Sequence, residues 1–378
     1  MNSAERKQAR YSRRVESREA KRREKSLRHD DFSRIIDPNN LANAFRKSRL
    51  NVSWKESVQR YEARWLLNIK QTVRKLIDGE RVSGGFVEFD IHERGKTRHI
   101  KSIHISERII QKALCDEVLV PILSRSLIYD NAASLKDKGV HFALRRLKRH
   151  LARFYRTNGN SNKGYVLSLD ISKYFDSIRH DILLDKVKRY IHDPLVLKLL
   201  RDFISVFGGG ISLGLGSQIS QICAVFYPSD IDHFVKEKLR IKYYGRYMDD
   251  IYLIHESKSY LKHCLCEITK RLEKIALRVN AKKTRITSLG QGLLFLKGRY
   301  SLGENGKIVC LPCRASTIRM IRRLRGMKRF MDHGGKITYR DIHDSYKSWR
   351  NTFRRRFHAY HRVRKMDGFY NRLFINKR

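Results

Sequence analysis

Two apolar runs meet at a pair of adjacent aspartates in IKYYGRYMDDIYLIH, residues 241–255, and no strand can carry that segment straight through. Neighbouring residues on a strand point to opposite faces, so one of the two carboxylates would be driven into a core. A reversal at the aspartates removes the conflict. The spacing therefore predicts a hairpin whose tip presents Asp249 and Asp250 on one side of a sheet. Aspartate is also a favoured turn residue, so the pair alone identifies no chemistry.

A second carboxylate stands in a comparable place. YVLSLDI, 165–171, is the continuous apolar run of a buried strand, with Asp170 at its end and ISKYFDS following towards a helix. Upstream, GGFVEFDIHERGKTRHIKSIHIS, 84–106, alternates apolar and polar residues on both sides of ERGK, which predicts a hairpin with Lys96 and Arg98 at its tip. Helical spacing runs from DPNNLANAFRKSRL to LLNIKQTVRKLIDGE, entered at Pro38 and Asn39, resumes at ERIIQKALCDEVLVPIL, and returns past residue 316. TNGNSNKG is a polar loop, and no internal repeat or long linker interrupts the chain.

Charge narrows the partners. The 378 residues hold 82 Lys and Arg against 38 Asp and Glu, a formal net charge of +44, which is best tolerated with a polyanion lying against the surface. Nucleic acid is the default, and the spread of charge along the chain argues for a long ligand instead of a membrane surface. Residues 1–30 carry eleven Lys and Arg, five Asp and Glu and few apolar residues, so this arm is expected to be disordered or a helix ordered by RNA. Residues 311–378 carry twenty Lys and Arg against four Asp and Glu, with ten aromatics interleaved. No run approaches the eighteen or so apolar residues of a membrane span, and MNSAERKQAR has no hydrophobic segment behind it, so a soluble, cytoplasmic protein is expected. The six cysteines are too few for a disulfide framework. Cys310 and Cys313 form a single C-x-x-C, and His263 beside Cys264 and Cys266 does not match a zinc spacing, so ordinary strand cysteines are the simpler reading.

Three carboxylates at strand ends repel one another unless cations lie between them, and hard divalent ions with oxygen ligands are the obvious cations. In order and spacing, SLDISKYFDS, LGLGSQISQ, YMDD, LRVNAKKT and FLKG resemble motifs A to E of the reverse transcriptases. The resemblance covers about residues 84–300 and implies an α+β right-hand polymerase fold: a basic arm (1–30), fingers with N-terminal helices (31–160), a ferredoxin-like palm with an antiparallel sheet (161–300) and a basic helical thumb (301–378). It implies RNA-directed DNA polymerase activity on a structured RNA template, with an RNA–DNA duplex and dNTPs as partners and two Mg²⁺ ions, or Mn²⁺, as cofactors. Asp170, Asp249 and Asp250, with the carbonyl of Ile171, would hold the metals. Lys283 would protonate the leaving pyrophosphate, although Lys282 is the alternative. Phe175 would be the steric gate against a ribose 2′-hydroxyl, with core packing as its other reading. Lys96 and Arg98 would grip the triphosphate unless they are only a solvated turn. Tyr247 and Met248 would lie under the primer end, and Phe295, Leu296, Lys297 and Gly298 would form the primer grip.

The second motif departs from the common pattern. Gly214, Leu215, Gly216, Ser220 and Gln221 form a G-x-x-x-S-Q arrangement similar to the reverse transcriptases of diversity-generating retroelements, which implies error-prone copying opposite template adenine and a small basic accessory protein. Loss of one polar contact checking pair geometry costs roughly 1 kcal/mol of discrimination. FGGG, 207–210, lacks the G-K-[ST] of a phosphate loop and reads as a flexible approach to this motif. No nuclease, protease or integrase domain is expected after the thumb. A defence-associated or retron-like enzyme, and a non-polymerising RNA-binding maturase or scaffold, are the alternatives.

Overall fold

The computed structural model describes residues 2–82, 86–93, 96–214, 216–354 and 358–375. They divide into two compact units, each assembled from separate stretches of chain: 1–139, 171–238 and 268–279 in the first, and 140–170, 239–267 and 280–378 in the second.

The first unit is mainly helical. Its N-terminal arm forms a helix, Ser3–Leu27, opened by a reciprocal Asn2–Glu5 capping box. Pro38 enters the Pro38–Ser48 helix at a position where its missing N–H costs nothing, and Asp37 caps it by accepting from the Asn39 N–H at 2.8 Å. The expected hairpin is present as antiparallel β1 (Phe86–Glu93) and β2 (Lys96–Ile103). After it come the Ile105–Leu114 helix and a π-helical turn over Cys115–Leu119, with Leu114, Cys115, Val118 and Leu119 fully buried.

The second unit is built on a four-stranded antiparallel sheet in the order β4-β5-β3-β6, with β3 at Tyr165–Leu169, β4 at Tyr243–Tyr247, β5 at Asp250–His255 and β6 at Arg285–Ser288. Val166, Leu167, Leu253 and Ile254 are almost wholly buried, which is what a central strand pair rich in β-branched and aliphatic residues achieves. The Val140–Thr157 helix packs against β4, with Phe154 edge-on to Tyr243 at 5.9 Å. Gly164 is required there, because a Cβ would stand 2.4 Å from the Phe154 ring.

A second antiparallel sheet, β7 (Leu293–Phe295), β8 (Gly298–Leu302) and β9 (Ile308–Pro312), continues into three helices, Arg314–Asp332, Tyr339–Arg354 and Tyr360–Phe374. Their core holds Leu324, Ile342, Trp349, Phe353 and Met366, with Tyr346 and Tyr370 stacked at 4.4 Å. Arg350 grips Asp367 through two bonds of 2.7 and 3.0 Å, and the Tyr346 hydroxyl donates to the same carboxylate at 2.6 Å. Among the described residues no helix is long and apolar enough to cross a membrane.

Candidate active site

Asp170 follows β3 directly and is 8% exposed. Residues 280–284 hold almost every polar group it has. Asn280 donates its N–H to the Asp170 carbonyl at 2.8 Å and its amide nitrogen to Oδ1 at 3.0 Å, Lys283 Nζ reaches Oδ2 at 2.7 Å, and the Asp170 N–H donates to Thr284 Oγ1 at 3.4 Å. The bond to Asp170 raises the proton affinity of Lys283, aided by the charges of Asp249 and Asp250.

Asp249 and Asp250 occupy the predicted reversal. Tyr247 pairs with Asp250, leaving Met248 and Asp249 as the two turn residues. Met248 takes a φ of 56°, the left-handed region that a side chain of its kind avoids. Beneath the turn, fully buried Arg246 sends Nη1 to the Met248 carbonyl at 3.4 Å. Burial raises the pKa of Asp249, and the charge of Asp170 adds to it. Asp250 is pushed up to about 6, first by burial and then by the charges of Asp249 and Asp170.

The three aspartates thus feel one another, but they are not gathered into a ligand set. Among the described residues no three carboxylate, imidazole or thiolate side chains stand close enough to hold a metal ion as they are. Lys283 Nζ occupies Oδ2 of Asp170. Ile171 faces Val279 in a short antiparallel bridge with Ser172 N–H bonded to the Arg278 carbonyl, a register that turns the Ile171 carbonyl away from its partner strand.

The other expected residues of this unit lie in the β4–β5 turn and the β7–β8 hairpin. Tyr247 is half-buried, and Tyr252, two pairs further into the sheet, meets the Phe295 ring edge-on at 5.1 Å. Phe295 and Gly298 close the β7–β8 hairpin, and its two turn residues, Leu296 and Lys297, have φ of 45° and 71°. That geometry normally selects Asn-Gly. His150 Nδ1 lies 3.1 Å from the Tyr252 hydroxyl, tying the helix behind the sheet to the strand that leaves the turn.

In the first unit Phe175 is half-buried in a short 3-10 turn, its ring edge-on to Tyr174 at 5.7 Å and its carbonyl accepting from the Leu213 N–H at 3.0 Å. Gly216 has φ of 116° and leads into the Gln218–Phe226 helix. Ser217 caps that helix and donates to Gln111 Oε1 at 2.7 Å, and Gln111 donates to buried Glu107 at 3.0 Å. Ser220 is fully buried, whereas exposed Gln221 accepts from Ser134 Oγ at 3.2 Å. Leu215 and the side chains of Lys96 and Arg98 lie outside the described residues; the backbones of Lys96 and Arg98 pair with Glu93 and Ile91 at the turn end of the hairpin.

Asn280, Gln111, Ser217 and His150 were not anticipated. Asn280 sits three residues before Lys283 inside the same short motif, a spacing that could have drawn notice, whereas the other three act through contacts 102 or more positions away in the chain.

The sequence profile of a family described as reverse transcriptase (RNA-dependent DNA polymerase) matches residues 90–321. Protein YkfC of Escherichia coli (strain K12) is 25% identical over 266 residues, 58% of this chain and 68% of that protein. A telomerase from Candida albicans in complex with a TWJ fragment of telomeric RNA aligns with TM-score 0.47 and 14% identity over 67% of this chain and 51% of its own. Apo telomerase from Candida Tropicalis aligns with TM-score 0.47 and 11% identity, covering 70% and 57%. The chain therefore spans about half the length of these telomerase chains.

Proposed function

The chain belongs to the reverse transcriptase family, and from that premise we propose that it copies a structured RNA into DNA at the Asp170, Asp249 and Asp250 site. The observation that carries this reading is electrostatic. Burial, and then the neighbouring carboxylate charges, raise the proton affinity of Asp249 and Asp250, and a lysine ammonium already lies against Asp170. Their all-oxygen chemistry suits a hard divalent ion such as Mg²⁺ or Mn²⁺, and the Ile171 carbonyl is the further oxygen this reading assigns to it. When bound, such ions supply activation of the primer hydroxyl and charge relief for the pyrophosphate.

The chain's own residues do the rest. Asn280 orients Asp170, Arg246 and the Tyr247–Asp250 pairing fix the turn, and Tyr247 and Met248 support the primer end. Lys283 holds a proton at Nζ that it can hand to the leaving oxygen once it exchanges Asp170 for phosphate. Phe175 is the gate that favours dNTPs. Lys96 and Arg98 grip the triphosphate, and the β7–β8 turn is the primer grip. Template RNA, the RNA–DNA duplex and dNTPs are the partners.

A G-x-x-x-S-Q second motif favours a low-fidelity enzyme of the diversity-generating type, assisted by a small basic protein. Given primed RNA, Mg²⁺ and dNTPs, the protein should extend the primer, and Asp249→Ala should abolish extension while RNA binding persists. Equal extension by the variant sinks the metal assignment. Leu215→Gln should lower misincorporation opposite template adenine; an unchanged error spectrum removes the subgroup reading.

A further inference from the structure

A cavity of about 500 Å³ opens beside the β7–β8 hairpin in the second unit, and four of its lining residues are arginines: Arg285 of β6, Arg299 of β8, Arg314 at the start of the first bundle helix and Arg362 of the third. Among the described residues no carboxylate lines it. Two of the guanidiniums are held in place by main-chain oxygens. Arg299 donates through Nε and Nη2 to the Gln291 carbonyl at 3.0 and 2.7 Å, and Arg362 donates through Nη1 to the Pro312 carbonyl at 2.8 Å. Both keep further N–H groups for another acceptor. Arg285 and Arg314 are exposed, and neither has an ion-pair partner among the described residues.

Four cations around one concavity repel one another, and the backbone carbonyls that orient two of them leave their charge uncompensated. Such an arrangement matches an anion of high charge. An internal phosphodiester brings a single negative charge, whereas a terminal phosphate brings about −1.5 to −2 at neutral pH and a polyphosphate more. Cys313, which lines the cavity, gives the bundle helix beginning at Arg314 no side-chain cap, so the positive end of that helix lies at the cavity without a capping acceptor. Leu294, 43% exposed, and Leu311 form an apolar wall of the kind a sugar or base covers.

We propose that this cavity is a second phosphate site, distinct from the aspartate centre, which takes the terminal polyphosphate of a nucleotide. The same chemistry comes from two sources, a free nucleoside triphosphate or the 5′-triphosphate end of an RNA.

The test uses the full chain in EDTA, where the aspartate centre holds no metal. Binding is measured for two RNAs of one sequence, one ending in a 5′-triphosphate and the other in a 5′-hydroxyl, with ATP as competitor. The triphosphate end should bind about tenfold or more tightly than the hydroxyl end, as multiple guanidinium contacts imply. The double variant Arg285→Ala, Arg314→Ala should lose that preference and keep its affinity for the hydroxyl-ended RNA. Both side chains are exposed and unbonded, so the variant should melt like the parent. Displacement by ATP assigns the site to free nucleotide, and failure of ATP to compete assigns it to the RNA end. Equal affinity for the two RNAs overturns the proposal, as does a preference that survives in the double variant. Asp249→Ala should leave the preference intact, and primer extension by the parent chain reports on the polymerase reading independently.

Discussion

Asp170 and the Asp249–Asp250 turn belong to one sheet, yet they are held in opposite ways. Around Asp170 the carboxylate, the carbonyl and the N–H are all engaged by residues 280–284, with a lysine ammonium on Oδ2. At the turn no salt bridge reaches either carboxylate among the described residues, the first turn residue sits at φ of 56°, and burial pushes both pKa values up. One end of the site is over-determined and the other is left wanting a cation. Strain of this kind, on the order of 1–3 kcal/mol per residue, persists only where the surroundings impose it. On the proposed reading, Asp170 is the fixed reference of the site and the turn is the part whose energy changes when positive charge arrives.

The sharpest way to break the contrast is to loosen the fixed end. Asn280→Ala removes a hydrogen bond to a carboxylate, of the class that contributes about 1.5–3 kcal/mol. If that bond positions Asp170, kcat for extension should fall by roughly tenfold to a hundredfold with the KM for dNTP unchanged. The Mg²⁺ concentration for half-maximal rate should rise. Asn280→Asp, which sets a second carboxylate against Asp170, should do worse than Ala. A wild-type metal dependence in both variants would show that Asn280 only supports the fold.

The opposite manipulation relieves the wanting end. Asp250 has a folded-state pKa of about 6 against an ordinary 3.8, so the native chain binds its proton more tightly than the unfolded chain does. Stability from this group is present below about pH 4 and is lost as pH rises through about 6. At neutral pH the ionised carboxylate therefore destabilises the fold by roughly 2–3 kcal/mol at most. Asp250→Asn should raise the Tm of metal-free protein at pH 7.5, and the gap should narrow by pH 4.5. Added Mg²⁺ should stabilise the parent more than the variant. A gap independent of pH would assign the effect to packing.

Much of this contrast was readable in advance, and the unread part has a common cause. Alternating polarity around ERGK, the apolar run ending at Asp170 and the doubled aspartate between two greasy runs each predicted an element that is present, because strand period and turn chemistry are local properties. Pro38 likewise marked its helix start. The Asn280 clamp, the Glu107–Gln111–Ser217 relay and the His150–Tyr252 pair were not readable, since each depends on which segments the tertiary fold brings together over 102 to 113 positions. The carboxylates were placed at strand ends by pattern alone. The lysine that occupies Asp170 needed coordinates.

The smallest expected effect lies at the β7–β8 turn, which shares the backbone strain of the aspartate turn without its charge. Leu296 and Lys297 both occupy the left-handed region, where Asn and Gly sit at least cost. Leu296→Asn with Lys297→Gly should therefore stabilise the chain by about 1 kcal/mol, read as a higher denaturant midpoint with an unchanged slope. If the turn grips the primer, the same variant should dissociate faster from primed RNA and extend in shorter bursts, although the aspartates are untouched. A gain in stability with undiminished burst length would leave the strain as an incidental feature of a tight hairpin. A gain in stability with shortened bursts would mean that the second turn, like the first, holds an unfavourable backbone conformation because the substrate needs what it presents.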